Sequence, residues 1–152
     1  YVILEWINFG CPFVKKHYNS ENMQELQQKY TEMGVVWLTI CSSAPGKQGY
    51  LETDQINEKI EDYEADMTAY LIDEDGEVGK KYGAKTTPHM YIIDPDGNLV
   101  YAGGIDDIPS TDEADIKKAT NYVEKAMTEL FNGQTVSTNT SKPYGCSVKY
   151  AD

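Results

Sequence analysis

The sequence predicts one α/β domain, a mixed sheet of about five strands with helices on both faces. Three observations carry that expectation. Short apolar runs rich in Val, Ile, Trp and Tyr alternate with segments whose apolar residues recur at helical spacing. A turn-forming stretch, Asp94-Pro95-Asp96-Gly97-Asn98, joins two of those runs into a hairpin, so the last strands are antiparallel, while strands joined by helices run parallel. The chain has 152 residues, 40% of them hydrophobic and 25% charged, enough for a single continuous core.

Taken in order, Val2 to Asn8 reads as a buried strand, and the chain starts so close to it that upstream sequence is expected. Phe9-Gly10-Cys11-Pro12 then opens a helix, since proline suits the first helical position, where its missing N–H costs nothing. Phe13, Lys16, Met23, Leu26, Tyr30 and Met33 repeat near helical spacing up to Gly34, with a bend or break over Tyr18 to Asn22. Val35 to Cys41 is a second buried strand, and Ser42 to Tyr50, with Pro45, Gly46 and Gly49, is a loop. Thr53 is expected to cap a helix over Asp54 to Tyr63 with Ile56 and Ile60 inward. Ala69 to Ile72 is a short strand, Asp73 to Gly76 a turn, and Val78 to Tyr82 a brief helix stopped by Gly83. Met90 to Ile93 and Leu99 to Ala102 form the hairpin. Thr111 is expected to cap one long helix with Ile116, Ala119, Val123, Met127 and Leu130 inward, ending at Gly133. Right-handed crossovers then place the strand beginning at Val2 in the middle of the sheet. Residues 1–133 form the domain, and 134–152 form a polar tail carrying Pro143-Tyr144-Gly145-Cys146 that packs on it.

Net charge is −12, from 25 acids against 13 bases, and every base is lysine. So acidic a surface repels phosphates and anionic lipid headgroups, which argues against nucleic acid and membrane partners. No apolar run approaches the ~18 residues that a bilayer-spanning helix needs. The three cysteines, Cys11, Cys41 and Cys146, form no C-x-x-C pair and no zinc-like spacing, so no metal and no cofactor is expected. Asp94-x-Asp96-Gly97-Asn98 lacks the sixth-place Gly and twelfth-place Glu of a calcium loop and reads as the hairpin turn. Asn139-Thr140-Ser141 matches a glycosylation acceptor, a pattern short enough to arise by chance.

Cys11 is the residue with chemistry to offer. At a helix N-cap, free N–H groups and the helix dipole stabilise a thiolate, and Lys15 one turn on adds positive potential. An inert capping thiol is the competing reading. Cys146 has three: a redox partner for Cys11, a structural staple, or a free thiol. Cys41 ends an apolar strand and reads as a packing residue. His17 and His89 could assist as bases or tune the thiolate, or simply sit on the surface and in loop packing.

The phrases Leu4-Glu5-Trp6, Cys-Pro-Phe-Val-Lys-Lys-His-Tyr (11–18), Ser-Ala-Pro-Gly-Lys-Gln-Gly-Tyr (43–50), Tyr-Gly-Ala-Lys-Thr-Thr-Pro-His-Met (82–90) and Lys-Pro-Tyr-Gly-Cys-Ser-Val-Lys-Tyr (142–150) resemble the thioredoxin superfamily. More closely they are similar to its redoxin branch, described as peroxiredoxin-like or AhpC/TSA-like. The resemblance implies a thioredoxin-like fold. It makes Glu5 the buried acid beneath the cysteine, able to give or take a proton, and Pro88 the superfamily's cis-proline. Thr87 and Pro88, with Pro12 and Phe13 beside Cys11, would then contact an extended substrate, strand to strand.

The departures narrow the activity. The second cysteine of a C-x-x-C motif would stand where Val14 is, and that is also where the resemblance places a peroxiredoxin's peroxide-attacking cysteine. The Thr or Ser three residues before it and the Pro four residues earlier are here Cys11 and Ile7, and the arginine that activates peroxide has no counterpart. The leading expectation is therefore a thiol–disulfide redox protein, an oxidoreductase with Cys11 as nucleophile and Cys146 or an external thiol resolving. An atypical thiol peroxidase with antioxidant activity and a non-catalytic partner-binding module are the alternatives. Partners would be thiol or disulfide proteins or small molecules and an external thiol reductant, and the resemblance favours an exported, periplasmic or extracellular location over the cytoplasm.

Overall fold

The computed structural model describes residues 1–152. Its central strand is β1 (Val2–Trp6), paired parallel to β2 (Val36–Cys41) and antiparallel to β5 (His89–Ile93). With β3 (Ala69–Ile72) beyond β2 and β6 (Leu99–Gly103) beyond β5, the sheet order is β3-β2-β1-β5-β6. This is the mixed α/β sheet expected, with the first strand at its centre.

Strand alternation sorts β1 between two cores. Ile3, and Ile7 just past the strand, face the larger one with Tyr18, Met23, Leu26, Tyr30, Trp37, Ile92, Val123 and Met127. These come largely from α1 (Pro12–Asn19), α2 (Asn22–Glu32) and α5 (Tyr122–Phe131), which cover that face. Leu4 and Trp6 face the smaller core with Ile40, Ala84 and Tyr91, where Tyr82 at the end of α4 (Glu77–Tyr82) packs against Trp6 and Tyr91. Glu5 shares the face of Ile3 and Ile7, and it is the one acid on β1.

The helical stretch after Cys11 does break where expected, into α1 and α2. Glu21 takes a left-handed φ of 66° at the break, and Asn22 N–H donates to Ser20 Oγ. Two boundary expectations are corrected. Helix α3 (Thr53–Tyr63) has Glu52, not Thr53, as its N-cap, and the Gln55 side chain accepts from Glu52 N–H in the manner of a capping box. The long helix expected from Thr111 to Gly133 is instead a single 3-10 turn at Glu113–Asp115, an irregular stretch, and α5. Tertiary bonds override the apolar periodicity there: Thr120 N–H donates to Asp107 Oδ1, Tyr122 N–H donates to the Ile105 carbonyl, and Asn121 bridges to Asp106. Held extended, Asn121 becomes the N-cap of α5, accepting from Glu124 N–H at 2.9 Å.

The tail crosses the molecule at the end of the sheet where α1 begins. Ala102 N–H donates to the Asn139 carbonyl beside β6, and Ser141 Oγ meets both Gly104 N–H and the Tyr101 hydroxyl. The short strand β7 (Cys146–Ser147) then pairs antiparallel with β4 (Thr86–Thr87). Tyr150 closes the course by donating to the Ala84 carbonyl while Lys47 reaches the Tyr150 carbonyl.

Candidate functional site

Helix α1 starts at Pro12 with Cys11 as its N-cap, and local bonds fix that start. Cys11 N–H donates to the Asn8 carbonyl in a tight turn, Cys11 itself is extended, and Pro12 fixes the first helical φ. The sulfur is thereby set at the amino end of α1, next to the Thr87-Pro88 peptide, which is cis. Cys11 Sγ lies 3.3 Å from the Thr87 carbonyl oxygen and 2.6 Å from Cys146 Sγ. A disulfide bond measures about 2.05 Å, so the two sulfurs stand where side-chain adjustment alone would join them. The β4–β7 ladder does this positioning, since Thr87 and Cys146 are register partners. Gly145 fits where nothing larger would: its φ is +144° and a Cβ there would collide with the Thr87 carbonyl.

The two thiols differ electrostatically. Burial pushes the Cys11 thiol up, but the Cys146 thiol, the Thr87 hydroxyl and the backbone N–H groups of Val14 and Cys146 favour its thiolate and leave it below the usual cysteine value. The Thr87 hydroxyl is buried beside the sulfur without a hydrogen-bond partner of its own, and Cys11 Sγ bonds the Thr87 carbonyl instead. For Cys146, burial and then the Cys11 sulfur push the thiol up to about 11, against weaker pulls from Lys149 and the Phe13 N–H. In the reduced pair, the charge belongs on Cys11 and the proton on Cys146.

Around this pair the sequence-expected residues divide. Thr87, Pro88 and Cys146 are brought to Cys11. Phe13 is half-buried and packs edge-on to Tyr144, and Pro12 is exposed beside it. Lys15 is exposed and makes no polar contact in the site. Glu5 is fully buried and has no hydrogen bond to Cys11. It accepts from Tyr18 OH (2.6 Å), Trp37 Nε1 (2.8 Å), Thr39 Oγ1 (2.8 Å) and Gln27 Nε2 (3.2 Å). Burial pushes this carboxyl up, opposed by those four donors. His89 stacks on Tyr91, accepts from Lys85 N–H, and is held to about 4 by burial and then by Lys85.

His17 makes no hydrogen bond to either sulfur and joins instead a network that sequence reading missed. Tyr144, two residues before Cys146, inserts its hydroxyl among Lys16 Nζ (3.2 Å), His17 Nε2 (3.2 Å) and Asp106 Oδ1 (2.6 Å). Burial, then the Lys16 charge, lowers His17 to about 3, so its imidazole is neutral. Asn22 Nδ2 donates to Nδ1, which puts the His17 proton on Nε2, facing Tyr144. The hydroxyl thus accepts twice and donates to the Asp106 carboxylate. Two signals pointed here: Lys16 at an inward helical position, and the aromatic Pro143-Tyr144-Gly145-Cys146 inside an otherwise polar tail.

A family model described as Redoxin matches residues 1–120. Among solved structures, a hypothetical protein from Sinorhizobium meliloti 1021 is 24% identical with a TM-score of 0.80, the match covering 99% of this chain and 79% of that one. An uncharacterized conserved protein from Geobacillus kaustophilus is 28% identical, also at 0.80, covering 99% and 77%. A putative thiol:disulfide interchange protein DsbE from Chlorobium tepidum is 21% identical with a TM-score of 0.52, covering 66% and 64%, a likeness of fold. No curated protein matches the sequence. No helix is long and apolar enough to cross a membrane.

Proposed function

Because the chain belongs to the Redoxin family of thioredoxin-fold thiol redox proteins, we propose that it cycles between a Cys11–Cys146 disulfide and the corresponding dithiol, with Cys11 as the nucleophilic sulfur. The observation that carries this reading is the 2.6 Å approach of the two sulfurs, the first at a helix amino end and the second on a strand paired with Thr87. Of the three roles open to Cys146, this approach favours the redox partner. A resolving thiol within the chain also makes an external one unnecessary for releasing the mixed disulfide, and an external thiol then returns the Cys11–Cys146 disulfide to the dithiol. Val14, at the place where a peroxide-attacking cysteine would fall, is fully buried in the core, which favours disulfide exchange over peroxide reduction.

Its substrates are thiols or disulfides. Tail residues 134–152 belong to the functional unit, because they supply Cys146 and Tyr144. Glu5 serves the site by fixing α1 and α2 to β1 and β2 through Tyr18 and Gln27, upstream of any proton transfer. Exchange through a lasting disulfide suits an oxidising compartment, in line with export. The test is glutathione-linked exchange with a disulfide-containing peptide. Cys11→Ser and Cys146→Ser each abolish turnover, whereas undiminished turnover by Cys11→Ser contradicts the reading.

A further inference from the structure

The two sulfurs are unequal in access. Cys11 has 0% of its surface exposed, while Cys146 keeps a face to solvent. The edge of Thr86–Thr87, along which an extended partner would pair, is occupied by β7, and Gly145 lies against the Thr87 carbonyl. Tyr144, anchored on Lys16, His17 and Asp106, and Tyr150, anchored on the Ala84 carbonyl, hold the strap on both sides of Cys146. An approaching group therefore meets Cys146 first.

We propose that the external partner is a thiolate that attacks Cys146 of the Cys11–Cys146 disulfide, Cys11 being the sulfur that leaves and stays inside. This deepens the proposed function and rests on its disulfide pair. The partner's sulfur forms a bond to Cys146 Sγ as the Cys146–Cys11 bond breaks, and the electron pair departs on Cys11 as a thiolate. A second thiolate of the partner then attacks the partner's own sulfur in that mixed disulfide. It forms the product disulfide and releases Cys146, which takes a proton from solvent. The partner loses two electrons and the chain gains two; the oxidised chain is restored when the Cys11 thiolate attacks an external disulfide and expels one of its thiolates, after which Cys146, giving up its proton, attacks Cys11 of that mixed disulfide and expels the other.

The sulfur chemistry runs the same way. A thiolate leaves faster the better it is stabilised, and as Cys11 departs it keeps the helix amino end and the backbone N–H groups of Val14 and Cys146 to hold its charge, the Cys146 thiol itself being engaged with the partner. In the reduced chain the sulfur that ionises more readily is the enclosed one and the accessible sulfur holds its proton, so Cys11 meets an external disulfide more slowly than an external thiolate meets Cys146 of the oxidised chain. The strap thus disposes the chain to accept electrons from thiols. This turns around the order that sequence alone assigns, in which Cys11 meets the partner.

The full chain is oxidised with glutathione disulfide, and the Cys11–Cys146 linkage is verified by peptide mass mapping. It is then pulsed with reduced glutathione in one arm and a reduced cysteine-containing peptide in the other, and quenched with iodoacetamide. The expected result is partner adduct on Cys146 and alkylated Cys11, in at least about tenfold excess over the converse. The faster arm identifies a small-molecule or a polypeptide thiol as the source. Adduct on Cys11 with alkylated Cys146 overturns the order of attack and leaves the pair intact. If oxidation yields no Cys11–Cys146 linkage, the pair itself fails and this proposal with it.

Discussion

At the scale of single residues, two buried groups carry the proposed chemistry and the pH dependence of stability. The Cys146 thiol is the strongest group favouring the Cys11 thiolate, so Cys146→Ala, which removes that donor, should raise the Cys11 pKa in a thiolate absorbance titration. The lowered Cys11 value stabilises the reduced fold fully above the unfolded cysteine value, near about 8.5, and that contribution fades as pH falls through the folded pKa. Cys146 has the opposite sign: its contribution is present below the unfolded value and is lost as pH rises through about 11. Glu5 is the second group. Its carboxyl is pushed up by burial, so its contribution is present below the unfolded value of about 4.3 and is lost as pH rises through the folded pKa. Glu5→Gln should remove that slope from urea unfolding curves. Glu5→Leu leaves Tyr18, Trp37, Thr39 and Gln27 without their acceptor and should cost about 3 kcal/mol or more.

At the scale of elements, what was legible in the sequence follows from how local each signal is. The strand Val2–Trp6, the Cys11-Pro12 helix start and the Asp94–Asn98 turn each carry their own chemistry in adjacent residues, and all three stand where periodicity and turn types place them. The segment from Thr111 to Gly133 has helical periodicity too, but bonds from Asp106 and Asp107 hold Thr120 and Asn121 extended, and no local pattern announces a bond from so far along the chain. The cap at Asn121 therefore starts α5 on its own. Asn121→Ala should cost about 1 kcal/mol, read by urea denaturation, where a residue inside a continuous helix would gain from alanine.

At the scale of the molecule, the tail brings a second sulfur, that of Cys146, to the Cys11 sulfur at the start of α1. The sequence marks Cys146 as a candidate but cannot say where a polar tail lies, because its fixings are scattered. Ser141 is held by Gly104 and Tyr101, Tyr144 by Lys16, His17 and Asp106, and Val148 by the Lys85 carbonyl. Tyr144 is the fixing nearest Cys146 that engages charged partners. Tyr144→Phe removes three polar contacts at once and should cost about 2 kcal/mol. It should also speed hydrogen exchange at the Val148 amide while leaving the β1–β2 amides protected.

The pairing of Cys11 with Cys146 is tested most directly by a redox titration of the whole chain against dithiothreitol, with alkylation and mass mapping of each cysteine at every potential. Cys11 and Cys146 should become alkylated together in one two-electron transition, with Cys41 reduced throughout. Cys11 titrating without Cys146, or in step with Cys41, would contradict the account.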